Sequence, residues 1–153
     1  MVEFKRFTLD NGLKLIVHQD NTTPLIAVNV LYDVGARDED PDRTGFAHLF
    51  EHLMFQGSHH VPKGDYMKYV TRNGGRMNAY TSDELTAYFQ VLPPHRVDLG
   101  LWLEADRMGG LLLTEENIKN QKDVVIEEKL QRQNQPYGTA WDELNQHFYS
   151  DFP

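Results

Sequence analysis

Three side chains able to bind a metal fall within five residues, His48-Leu49-Phe50-Glu51-His52, and a helix is the conformation that turns them to one side. Residues four apart on a helix differ in direction by about 40°, so two imidazoles at that spacing meet at one point. Glu51, three residues after His48, lies on the same side and sets a carboxylate beside that point. Phe46, Leu49, Phe50 and Leu53 surround these polar groups. Burying three such polar groups among apolar neighbours is costly without a metal to bind them.

The flanking sequence reads as short strands followed by helices. Residues 4–9 and 13–18 are β-prone runs joined by Asp10-Asn11-Gly12, whose Asn-Gly step predicts a type I′ hairpin. Residues 25–34, rich in Val, Ile and Leu on both faces, read as a central strand covered on both sides. Gly35 and the acidic segment 38–42 break it. Apolar residues at helical spacing then run over 44–55, with Asp42 or Thr44 placed as the N-cap and Gly57 as the stop. A second helix is expected over 65–72, ended by Asn73-Gly74-Gly75. Strands at 76–80 and 85–92 would pair antiparallel across residues 81–84. Beyond Pro93-Pro94, residues 97–108 read as a helix, and Thr114 caps a long helix reaching about residue 133. Residues 139–149 form a last helical stretch, with Trp102 and Trp141 expected in the core. The fold class expected is α+β, a mainly antiparallel sheet of about five strands with helices packed on it.

No repeat, low-complexity tract or linker divides the 153 residues, which have the size of one domain. The finish at Ser150-Asp151-Phe152-Pro153, after an aromatic-rich helix, reads as a domain truncated at its C-terminal end. The formal charge of −8 disfavours a nucleic-acid surface, which needs clustered Lys and Arg. No stretch approaches the roughly 20 apolar residues of a membrane span. The opening residues lack a signal-peptide core, which reads as cytoplasmic, or as periplasmic or secreted where a signal peptide has been removed. With no cysteine, a zinc ion would have to be held by imidazole and carboxylate.

Two histidines and a carboxylate around zinc, with a water in the open fourth position, form a hydrolytic centre in which that water's pKa falls to about 7. Glu51 is placed to take the water's proton. The order H-x-x-E-H inverts the commoner H-E-x-x-H, and helix geometry serves both. The plain alternative is a pair of hydrogen-bonded helix-face histidines. The third ligand should lie further along, where Glu127 and Glu128 adjoin in the long helix; they diverge by about 100°, so one alone can face the metal. His18, His59, His60, His95 and His147 read as structural or surface residues.

The chain resembles the pitrilysin/insulinase family of metallopeptidases, which includes the mitochondrial processing peptidase. The resemblance is carried by Leu9-Asp10-Asn11-Gly12-Leu13, by Gly35-Ala36-Arg37-Asp38-Glu39, by residues 44–58 around the histidines, by Gly75-Arg76-Met77-Asn78-Ala79-Tyr80-Thr81 and by residues 124–128. It implies zinc (one Zn2+ per site) as cofactor, His48, His52 and Glu128 as its ligands, and Glu51 as general base. It also places Gln121, behind the metal, where the family often has glutamate, a departure that bears on how the ligands are oriented. Asn78, Ala79 and Tyr80 match the family's substrate-side edge strand, where an extended peptide adds as a further strand.

On this resemblance the chain is an amino-terminal zinc-binding peptidase domain that works with a second homologous half, in the same chain or in another subunit. The activity implied is that of a zinc metalloendopeptidase acting on short or unfolded polypeptides, with the isolated 153 residues weakly active or inactive. The competing expectations are a non-catalytic partner subunit of the same family and a zinc hydrolase acting on something other than peptides.

Overall fold

In the computed structural model, which describes residues 2–148, the strands form two antiparallel sheets. β1 (Lys5–Thr8) pairs with β2 (Lys14–Val17). β3 (Ile26–Tyr32), β4 (Arg76–Thr81) and β5 (Thr86–Leu92) form a three-stranded sheet in the order β3-β5-β4. The helices are α1 (Phe46–Leu53), α2 (Asp65–Arg72), α3 (Val97–Gly109), α4 (Glu115–Gln133) and α5 (Ala140–Phe148). The class is α+β, as expected, with the strands divided between two sheets rather than joined in one. Tyr149 and the expected truncation at 150–153 lie outside the described residues. No helix among those described is long and apolar enough to cross a membrane.

The central strand is β5, not β3. β5 is buried along most of its length, whereas β3 alternates half-buried and exposed positions, so that one of its faces is packed and the other open. Its apolar richness reflects β-propensity more than two-sided burial. Leu92 of β5 packs with Val61, with Tyr66 and Val70 of α2 and with Leu103 of α3 as the apolar core. The β1–β2 turn also departs from expectation. Gly12 alone has positive φ, 87°, and its N–H donates to the Leu9 carbonyl at 2.8 Å. That is a three-residue connection built on a type I turn with a glycine bulge, since type I′ needs positive φ at both central residues. Trp102 and Trp141 are 42% and 67% exposed rather than core; Trp102 stands edge-on to Tyr69 across the surface of α2 and α3.

A buried ionic cluster ties α3 to α2 and β5. The Arg107 guanidinium donates to both oxygens of Glu104, at 2.6 and 2.8 Å, with both side chains under 5% exposed. Tyr66 Oη and Gln90 Nε2 also donate to Glu104 Oε1, at 2.8 and 2.7 Å. The guanidinium lies 4.1 Å from the Tyr88 ring centroid and 4.8 Å from that of Tyr66, a cation–π enclosure that helps hold a charge out of water.

Candidate metal centre

Gly45 stands at the N-cap of α1, its φ of 92° suiting a residue without a side chain, and neither Asp42 nor Thr44 caps the helix. The carboxylate of Glu39 does so instead, accepting from the N–H groups of Gly45 and Ala47, each at 2.6 Å. The chain between doubles back through an Asp40–Arg43 bridge, which carries Glu39 over the helix start. Two charge-assisted bonds to otherwise orphaned amides fix the first turn of the helix bearing the histidines.

α4 packs against α1. Its start is capped as expected, Thr114 Oγ1 accepting from Asn117 N–H at 3.1 Å. The buried Asn117 then joins the preceding chain to the loop after α1: its Nδ2 donates to the Leu112 carbonyl at 3.2 Å, and its Oδ1 accepts from Lys63 Nζ at 2.9 Å. Two turns of helix separate Gln121 from Glu128, so both project from the side of α4 that faces α1. Glu127, one step round the helix, is exposed and outside the cluster.

Among the described residues, His48, His52 and Glu128 form a group whose ligand atoms all lie within 4.8 Å of one another. The two Nε2 atoms are 3.2 Å apart, and Glu128 Oε2 is 3.6 Å from that of His48 and 3.5 Å from that of His52. Tetrahedral zinc with bonds of about 2.0–2.1 Å sets its ligand atoms about 3.3–3.4 Å apart. The triangle therefore has the size of one face of a zinc tetrahedron, and two nitrogens with one carboxylate oxygen are a donor set that zinc takes. Gln121 Oε1 lies 3.3 Å from His52 Nδ1. Accepting a proton there leaves the Nε2 lone pair directed at the cluster, the arrangement that orients a metal-binding histidine.

Glu51 lies beside the cluster and outside the ligand triangle. Its Oε2 accepts from Thr81 Oγ1, at the end of β4, at 2.5 Å. Burial holds the Tyr88 phenol well above its ordinary pKa; Arg107 opposes this and the nearby Glu51 carboxylate adds to it.

β4 is an edge strand among the described residues. Ser82 N–H bonds the Leu85 carbonyl at 2.8 Å, which sets the alternation so that the N–H groups of Tyr80 and Asn78 point at β5 and that of Ala79 points to the open edge. Asn78 Oδ1 accepts from that Ala79 N–H at 2.9 Å. Asn78 and Tyr80 expose their side chains, while Ala79 is half-buried.

Two features carried no local signal. Glu39 was part of an acidic run, and the Thr81 hydroxyl was an ordinary strand residue, until the fold set them against α1. A third is the buried Asp106 of α3, which accepts from Ser58 Oγ at 2.5 Å, His60 N–H at 3.1 Å and His60 Nδ1 at 2.5 Å. This pins the loop after α1 to α3 and makes His60 a structural residue. Burial raises the Asp106 pKa, but the bonds from Ser58 and His60 outweigh it and hold the group at about 2.

A two-histidine, one-carboxylate cluster on facing helices of an α+β domain defines the class. Insulinase (Peptidase family M16) matches residues 14–153, and the chain belongs to that family. It is 41% identical over 136 residues to the zinc protease PqqE of Helicobacter pylori, a stretch comprising 88% of this chain and 31% of that protein. A crystal structure of a protease from Helicobacter pylori superimposes with a TM-score of 0.86 at 37% identity, over 91% of this chain and 34% of that one. Pitrilysin superimposes with a TM-score of 0.75 at 23% identity, over 86% of this chain and 14% of that one, a likeness of fold. The chain spans about a third of the length of these Helicobacter pylori relatives.

Proposed function

We propose that this chain carries the catalytic zinc centre of a metalloendopeptidase acting on short or unfolded polypeptides. The observation that carries the reading is the triangle of His48 Nε2, His52 Nε2 and Glu128 Oε2 at 3.2–3.6 Å, with a carboxylate outside it, that of Glu51, on the same helix as the two histidines. Zinc held there would supply Lewis acidity toward the scissile carbonyl and toward the attacking water. Glu51, its Oε2 occupied by Thr81, has Oε1 left to take the water's proton and deliver it to the departing amine nitrogen. Gln121 holds His52 in the required tautomer.

The substrate lies along β4 in this reading. An extended peptide adds as a fourth strand beside the open edge, bonding the main chain of Ala79 once Asn78 Oδ1 releases the Ala79 N–H. Main-chain pairing of this kind selects extended polypeptides over folded ones. Asn78 shields the edge amide when no substrate is present, which limits unwanted strand pairing.

The domain is the amino-terminal zinc-binding half in this proposal, and a second homologous half encloses the substrate. The isolated chain then binds zinc with weak or absent peptidase activity. Cleavage of an unstructured peptide library by the full-length protein, with Glu51→Gln as control, tests the reading. Glu51-dependent cleavage supports it; a zinc-loaded protein with no such cleavage points to the non-catalytic partner role.

A further inference from the structure

We propose that Thr81 is the positioning residue for Glu51, fixing which carboxylate oxygen is left free to act as base. The inference rests on the peptidase reading above and deepens it.

Thr81 ends β4, half-buried on the side of the strand that meets α1, and its hydroxyl reaches a glutamate 30 positions earlier in the chain. A hydroxyl has one proton to give, and its direction here follows from the neighbours. Thr86 stands directly opposite in the β4–β5 register and is 4% exposed. Its hydroxyl donates to the Val34 carbonyl, just beyond β3, at 3.0 Å. The two threonine oxygens are 3.5 Å apart. With the Thr86 proton committed to Val34, the Thr81 proton goes to Glu51 Oε2.

The framework behind this bond is rigid. Gly35, one residue after Val34, lies so close to the β4–β5 turn that a Cβ there would collide with the Ser82 carbonyl oxygen. Ala36 N–H bonds that same carbonyl at 3.2 Å, and Arg37 N–H bonds the Asp83 carbonyl at 2.9 Å. β-Branching at Thr81 and Thr86 restricts χ1, so the hydroxyls are held by the sheet rather than by side-chain chance. Glutamate has three rotatable bonds, and one fixed oxygen removes most of that freedom. A base held by a supporting shell on regular elements works in one geometry, and a loosely held one does not.

Thr81→Val keeps the branching and nearly the shape but replaces the hydroxyl with a methyl group; Thr81→Ser keeps the hydroxyl. In the zinc-loaded full-length protein, Thr81→Val should lower kcat by roughly 10–100-fold while KM, zinc content and thermal midpoint stay at wild-type values. Thr81→Ser should restore most of the rate. If Thr81→Val does not fold, Thr81→Ala is compared with the same serine control. A second readout needs no turnover: in crystals of the metal-free protein, Glu51 should hold one rotamer in wild type and spread over several in Thr81→Val. A wild-type rate in Thr81→Val, a loss expressed in KM or zinc content instead, a serine variant as slow as valine, or an unchanged single Glu51 rotamer overturns the inference alone. A zinc-loaded wild type without Glu51-dependent cleavage overturns the peptidase reading and this inference with it.

Discussion

His52 Nδ1 lies 3.3 Å from Gln121 Oε1, a bond that joins α1 to α4 across 69 positions of sequence and sets the tautomer of one candidate zinc ligand. Glutamine can do this because its carbonyl oxygen accepts the Nδ1 proton as a carboxylate would, though without the negative charge that makes the ring a stronger donor to metal.

Gln121→Ala should therefore weaken zinc affinity by about 10–100-fold, and Gln121→Glu should match or exceed wild type. Competitive zinc titration against a chromophoric chelator measures both. Equal affinities in all three proteins would mean that His52 is oriented without Gln121.

The Glu39 cap makes a prediction about the metal helix. Glu39→Ala removes two bonds of 2.6 Å from the first turn of α1 and should cost about 0.5–2 kcal/mol, with faster hydrogen exchange at the Ala47 amide. Asp42→Ala should leave that amide unchanged, since Asp42 makes no cap.

The local parts of this design could be read from the residues. The spacing of His48, Glu51 and His52 demands a helix, Thr114 is a cap wherever it precedes a helix, and the Asn73-Gly74-Gly75 terminator ends α2. What could not be read depends on approach between distant segments. Glu127 and Glu128 are equivalent until α4 is set against α1, and the family resemblance, not the spacing, favoured Glu128. Glu39 outcompetes Asp42 and Thr44 because the loop doubles back. β3 and β5 have similar compositions, and only the strand order makes β5 the covered one. Asp106 and His60 each look ordinary alone, and their bond spans 46 positions.

The Glu104–Arg107 pair is buried with its partners, so removing one member leaves an uncompensated charge. Glu104→Ala should destabilise the domain by about 3–5 kcal/mol, and replacing both residues with apolar ones of similar volume should cost less than that. Urea unfolding of the single and double variants measures the difference. An additive double variant would show that the two charges act separately.

Asp106 gives a pH dependence with a definite sign. Its pKa is depressed from 3.8 to about 2 in the folded protein, so its contribution to stability is fully present above about 4 and is lost as pH falls toward 2. Urea midpoints measured at several pH values across that range should fall more steeply in wild type than in Asp106→Asn, which cannot titrate. Parallel curves would contradict the assignment.

His48, Glu51, His52 and Glu128, from two helices, form the proposed zinc centre, and zinc stoichiometry at neutral pH is its decisive measurement. Wild type and Glu51→Gln should each bind one zinc per chain, because Glu51 is no ligand, while His48→Ala, His52→Ala and Glu128→Ala should each lose it or bind far more weakly. A wild-type chain that binds no zinc, or a Glu128→Ala variant that binds it as tightly as wild type, would rule that centre out.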